Sequence, residues 1–183
     1  MSGTLASECS RISSVVGDRM RRAYTLVEVL IVVVVLGIAA AMVVPEFSGT
    51  NVLRVQSAVR MVVADIIEAQ SESIAFQQGR ALKFTAGQRR YQVAATRGGS
   101  VDFTLDLLED RQFGGEDFGN AVISTVSFSG GDTLYFDELG SPVTGPGSGI
   151  AAPSGFLEIT GSGQRFRITV EAYTGRCTVT NIP

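Results

Sequence analysis

The chain has 183 residues, 45% of them hydrophobic, with 15 Lys and Arg against 18 Asp and Glu and with no His and no Trp. That length holds one domain and a short membrane segment, and the missing histidines remove the commonest general base and metal ligand. A net charge of −3 argues against broad electrostatic binding to nucleic acid.

Residues 1–23 read as a basic leader. Arg11, Arg19, Arg21 and Arg22 against Glu8 and Asp18 leave +2 up to Ala23, and eleven basic against sixteen acidic residues leave −5 beyond it. The positive-inside rule keeps such an end in the cytoplasm and sends the remainder across the membrane. Residues 24–44, YTLVEVLIVVVVLGIAAAMVV, follow as an apolar run long enough to span a bilayer. Its one charge is Glu28. A carboxylate in hydrocarbon costs roughly 2.5–3.5 kcal/mol at a helix centre and less near an end, so its presence points to function. The plainer alternative leaves Glu28 at headgroup level with its carboxylate in water. Three readings of the run compete: a signal anchor, a signal peptide cut after Ala39-Ala40-Ala41 to expose Met42, and a cleaved leader followed by a retained helix.

The third reading accounts for more residues. Arg21-Arg22-Ala23-Tyr24-Thr25-Leu26-Val27-Glu28 resembles the processing site of type IV prepilins and type II secretion pseudopilins. The resemblance implies that a prepilin peptidase on the cytoplasmic face cuts between Ala23 and Tyr24, and that the new amine is methylated. It implies that Glu28, the fifth mature residue, pairs with the N-terminal amine of a neighbouring subunit during assembly. Gly37 and Pro45 would fall at the fourteenth and twenty-second mature positions, as helix breaks. Ala23 departs from the glycine that the family usually carries before the cut.

Residues 45–79 continue the helical pattern. After the polar Pro45–Asn51 interruption, Val52, Val55, Val59, Val62, Val63, Ile66, Ile67 and Ile74 recur at steps of three and four and describe one face of an amphipathic helix. Arg54, Arg60, Asp65, Glu68 and Glu72 fall off that stripe, and Gly79 is the expected stop. A cleaved signal peptide has no reason to be continued by such a stripe.

From Arg80 the period changes to two. Strands are expected at Ala81–Thr85, Tyr91–Ala95, Val122–Phe128, Thr133–Asp137, Gly155–Thr160, Arg165–Ala172 and near Cys177–Thr180, with turns at Gly87-Gln88, Gly98-Gly99, Gly130-Gly131 and Gly161-Ser162-Gly163. Residues 100–120 and 141–154 read as variable surface loops. The expected fold class is α+β: a long N-terminal helix, half transmembrane and half amphipathic, packed on an antiparallel sheet or sandwich formed by residues 80–183. Phe136-Asp137-Glu138-Leu139-Gly140-Ser141-Pro142, the two strands that follow, and Thr174-Gly175-Arg176 resemble the H-type minor pseudopilins, the GspH/FimT-like group. This implies a pilin-like fold.

The residues offer no catalytic constellation: no Ser-His pair, nucleophile elbow, phosphate loop or Cys/His ligand spacing. The expectation is therefore a non-enzymatic chain with no cofactor and no metal. Cys9 and Cys177 lie on either side of the span, and Cys177 reads as a small hydrophobe at a strand end. Asp102, Asp106, Glu109 and Asp110 read as a solvated acidic face rather than a calcium site. Arg165, Arg167 and Arg176 form a small basic group. Its competing readings are a charged strand edge and a phosphate contact, the first preferred. The family resemblance implies a minor pseudopilin of the type II secretion pseudopilus, held in the inner membrane with its β-domain in the periplasm. Its partners would be other pseudopilins, a prepilin peptidase, an inner-membrane assembly platform and membrane lipid. The rival readings are a minor pilin of a type IV pilus and a membrane-anchored extracytoplasmic binding module.

Overall fold

The computed structural model describes residues 24–43, 47–129 and 131–183. The leader with Cys9, Arg19, Arg21, Arg22 and Ala23, the predicted break at Pro45, and half of the Gly130-Gly131 turn lie outside the described residues. The chain divides into two compact units, one ending at Val44 and one running from Pro45 to Pro183.

The first unit contributes helix α1, Leu26–Val43, 18 residues long. The helix runs without interruption through Gly37, and a Cβ added there would meet nothing within 4 Å. Gly37 is thus not a helix break, because a lone glycine weakens a ladder by only about 1 kcal/mol and does not remove a donor. Among the described residues no helix is long and apolar enough to cross a membrane. At 1.5 Å per residue, α1 covers about 27 Å against a hydrocarbon core of about 30 Å. Its large apolar side chains, from Leu26 to Ile38, are all exposed.

The second unit is built on helix α2, Phe47–Phe76. Its strands are β1 Arg80–Phe84, β2 Arg90–Ala95, β3 Leu107–Gln112, β4 Val122–Ser127, β5 Thr133–Phe136, β6 Pro142–Val143, β7 Gly155–Gly161, β8 Gln164–Val170 and β9 Cys177–Ile182. They form two antiparallel sheets, ordered β3-β2-β1-β5-β6 and β4-β7-β8-β9. Helix α2 packs on β1 and β5 of the first and on β7 and β8 of the second. The α+β class with a helix laid on antiparallel sheets is the arrangement expected from the change of period at Arg80.

The core gathers one stripe of α2 (Val55, Ala58, Val59, Val62, Ile66, Ala69) against the inward residues of both sheets. A chain of aromatic rings runs through it: Phe128, Phe84, Tyr91, Phe113 and Phe118, with successive centroids 5.8, 5.3, 5.8 and 6.3 Å apart. Such tilted contacts contribute beyond their buried area.

Several expectations need correction. Ile67 and Ile74 are exposed rather than core residues, since the buried stripe passes through Ala69 and Ser73 instead. Asp65, expected on the solvated face, is buried. Helix α2 ends at Phe76, before Gly79. Gln77 adopts the left-handed conformation (φ 49°) that closes the helix, with Gln77 N–H donating to Ile74 O and Gln78 N–H to Ser73 O. Gly79 serves packing instead, because a Cβ there would lie 2.8 Å from the Phe136 carbonyl. Both supposed loops contain strands, β3 within residues 100–120 and β6 within 141–154.

Candidate functional site

The described part of the N-terminal motif begins at Tyr24, whose side chain is exposed. Thr25 caps α1: its hydroxyl oxygen accepts from Glu28 N–H at 3.2 Å, and its carbonyl accepts from Val29 N–H at 3.2 Å. Thr25-Leu26-Val27-Glu28 is thus a T-x-x-E capping sequence, which sequence inspection could have found. Its return half, from the Glu28 carboxylate to Thr25 N–H, is not made among the described hydrogen bonds. The carboxylate stays exposed in the first turn, where the helix dipole favours it. Tyr24, Glu28 and Val32 follow one another at i, i+4 and i+8 and line one shallow face. Local geometry therefore explains why a carboxylate is tolerated in this turn and leaves it free to meet a positive group.

The two C-terminal sequence patterns come together on one side chain that the sequence did not single out. Gln70 Nε2 of α2 donates to Gly140 O at 2.8 Å and to Thr174 O at 2.9 Å. The first carbonyl ends the Asp137–Ser141 turn, in which Asp137 Oδ1 accepts from Leu139 N–H at 2.9 Å and Ser141 N–H at 2.8 Å. The second belongs to Thr174-Gly175-Arg176. Both glycines have positive φ, 79° at Gly140 and 67° at Gly175. A Cβ at Gly175 would also sit 2.6 Å from Gln70 Nε2 and 3.1 Å from Phe136 Cε1. These patterns thus fasten two turns to the end of α2.

A second fastening lies across the helix. Asp65 accepts a hydrogen bond from Tyr91 O–H on β2 and pairs with Arg111 Nε on β3 at 3.3 Å. Arg111 Nε also lies 2.7 Å from Glu109, although its N–H aligns with neither carboxylate, so these are charge contacts. Burial, reinforced by Asp65, holds the Tyr91 hydroxyl protonated well beyond its ordinary range, and the Asp65 charge raises Arg111 further. At the helix end, Arg80 is almost fully buried, pairs with Glu72 at 3.1 Å and lies over the Phe76 ring at 5.5 Å.

The basic group is largely neutralised. Arg165 and Arg167 share the outward face of β8, but Arg167 binds Glu158 at 2.7 Å and lies 4.4 Å over the Phe156 ring. Arg176 pairs with Glu171 at 2.6 Å. Hydrogen bonds from the two arginines hold Glu158 and Glu171 below the usual carboxylate range. Of these three arginines only Arg165 is left exposed without an ion pair, so the trio does not form a cluster of free cations. The acidic residues do not converge either: Asp106 pairs with Arg97 at 2.8 Å, Asp110 with Arg90 at 3.1 Å, and Glu109 with Arg111. Asp102 instead accepts from the Thr104 and Leu105 N–H groups, which lowers its pKa. Among the described residues no group of three or more His, Cys, Asp or Glu is arranged to hold a metal ion. Cys177 is a half-buried free thiol packed on the core, and burial raises its pKa to about 11.

Residues 18–44 match the family described as the prokaryotic N-terminal methylation motif. The domain behind that motif shares its fold with a type IV minor pilin. It is similar to the type IV minor pilin FimU of Pseudomonas aeruginosa strain PAO1, with a TM-score of 0.51 at 16% identity, over 73% of this chain and 92% of that one. A second crystal form of FimU aligns over 70% and 92% at 16% identity and a TM-score of 0.46. No curated protein sequence matches the chain.

Proposed function

We propose that this chain is a non-enzymatic minor subunit of a pilin-like filament. It would be processed between Ala23 and Tyr24, held in the inner membrane by residues 24–44, and drawn into the filament with its β-domain facing outward. The observation that carries this reading is the match of residues 18–44 to the methylation motif directly ahead of a pilin-like domain. In the filament, Glu28 would pair with the N-terminal amine of a neighbouring subunit. Its exposed carboxylate, without a return bond to Thr25 among the described hydrogen bonds, is available for that contact, and a buried carboxylate is tolerable when it meets a positive partner.

The finer assignment is to a secretion pseudopilus, with a prepilin peptidase, other pseudopilins and an inner-membrane assembly platform as partners. It is supported by the Phe136–Pro142 and Thr174–Arg176 patterns and their shared anchor Gln70. The likeness of fold to FimU supports the second reading, a minor pilin of a type IV pilus. Deleting the gene tests both. Loss of protein export with surface pili intact supports the pseudopilus, and loss of surface pili with export intact supports the pilus. A strain unchanged in both, in which the protein never enters a sheared filament fraction, would contradict the subunit reading.

A further inference from the structure

Among the described residues the two sheets have four edges, of which one is charged, one is occupied and one is very short. Strand β3 carries Glu109, Asp110 and Arg111, charges of the kind that blunt an edge. The outer side of β4 is occupied, since Ile123 O accepts from Gly87 N–H at 2.8 Å and Ile123 N–H donates to Gln88 O at 3.1 Å. Strand β6 is two residues long and is bridged to Ala151. Strand β9, CTVTNI, differs from all three. It has six residues, no charge and no proline, and it pairs in unbroken register with β8 alone. Its β-branched residues Thr178, Val179, Thr180 and Ile182 suit a further strand.

Beside this edge lies an apolar groove. Helix α2 supplies Val63, Ala64 and Ile67, the sheet supplies Phe166 and Val179, and Arg60 stands as the cation of its lining. The groove measures about 460 Å³, and Ile67 and Val179 leave half or nearly half of their surface open to solvent. Pairing with β8 fixes which side of β9 faces it. Cys177, Val179 and Asn181 sit opposite Val170, Ile168 and Phe166, the inward residues of β8. The open edge asks for a strand with free backbone donors and acceptors. The groove asks that the strand bring uncharged, apolar residues to its inward side.

We propose that this edge pairs with β9 of a second copy of the chain, antiparallel about a two-fold axis through Val179. Strand β9 is itself the uncharged, β-branched strand that the edge requires. Antiparallel neighbours present the same face, so Val179 meets the partner's Val179, Thr178 meets the partner's Thr180, and Cys177 meets the partner's Asn181. No charged residue falls on the seam, so self-pairing sets no like charges opposite one another. The two four-stranded sheets become one continuous sheet, and each copy covers the other's exposed Val179 and the adjacent α2 flank. The interface is isologous and closes at two copies.

Sedimentation equilibrium of the full chain in detergent micelles tests this, together with a crosslink. The wild type should be dimeric. V179E should weaken the dimer at least about tenfold, because it places two carboxylates opposite each other. Association through α1 would be unmoved by V179E, so a dimer that V179E leaves unchanged overturns the proposal. In a C177S background, mild oxidation should link V179C chains into dimers, while T178C, which has no copy of itself opposite, should link far less. A wild type that stays monomeric as concentration rises, or equal linking by V179C and T178C, overturns it as well.

Discussion

Replacing Asp65 with Ala should destabilise the Pro45–Pro183 unit, which holds the whole core, and the size of the effect follows from the site's geometry. Tyr91 is buried, and its hydroxyl has Asp65 as acceptor. Removing the carboxylate leaves that donor without a partner, at a cost of about 1–3 kcal/mol, and forfeits a charge-assisted bond of similar worth. Arg111 is partly exposed and retains Glu109, so it adds little. D65A should therefore cost about 3 kcal/mol, read as a lower urea midpoint at unchanged slope or a melting temperature down by about 10 °C. Y91F alone should cost about 2 kcal/mol, since it strips one partner from a buried carboxylate. The double variant leaves no orphaned hydroxyl and should cost about 3 kcal/mol rather than the sum, a coupling of about 2 kcal/mol. Far-UV circular dichroism through urea titrations of the four proteins closes the cycle. Additive costs, or a loss below about 0.5 kcal/mol for D65A, would show that the contact does not fasten α2 to the sheet.

Three further outcomes follow from other sites. G175A should lower the unit's melting temperature, because the residue has positive φ and a Cβ there would press on Gln70 Nε2 and Phe136; a cost of about 1–3 kcal/mol is expected, and Q70A/G175A should recover part of it. Cys177, its pKa raised to about 11, should react with a neutral thiol reagent at pH 8 about a hundredfold more slowly in the folded unit than in urea; equal rates would mean the strand end is open. Glu158, held low by Arg167, contributes stability that is present above its unfolded pKa of about 4.3 and is lost as pH falls through its depressed folded value. Thermal melts from pH 6 down to pH 2 should show a smaller acid loss in E158Q than in wild type, and parallel curves would contradict this.

The elements that were legible from sequence are those in which one face is buried over a long stretch. The Val55–Ile66 stripe identified α2, and the alternation of Phe166, Ile168 and Val170 identified β8, because helix and strand periods imprint directly on apolar spacing. Strand β3 escaped because LLEDRQ does not alternate: it is an edge strand whose charges serve solubility and pairing with β2 rather than burial. Strand β6 is too short to carry a period. Asp65 was misplaced for a different reason. Its partners are on β2 and β3, 26 and 46 positions on, and no local signal distinguishes a carboxylate that a distant tyrosine will bury from one that faces water. Gln77 shows that a helix can end on a non-glycine when the flanking backbone bonds are good, so the nearest glycine was a misleading stop. At the N-terminus the resemblance to a methylation-type motif rests on Arg21 to Glu28, within the residues that match that family. The Thr25 cap that orients its first turn was equally present in the sequence as T-x-x-E but was masked by the apolar run.

The most direct test of the central claim is the N-terminal mass of the protein isolated from its native membrane. Processing as a pilin-like subunit predicts a mature chain that begins at Tyr24 and carries one added methyl group on its amine. The same terminus should be found for E28A, with that variant absent from the filament fraction. A chain beginning at Met42, or one retaining Met1, would contradict the account, the first by making residues 24–41 a discarded signal and the second by leaving the motif unprocessed.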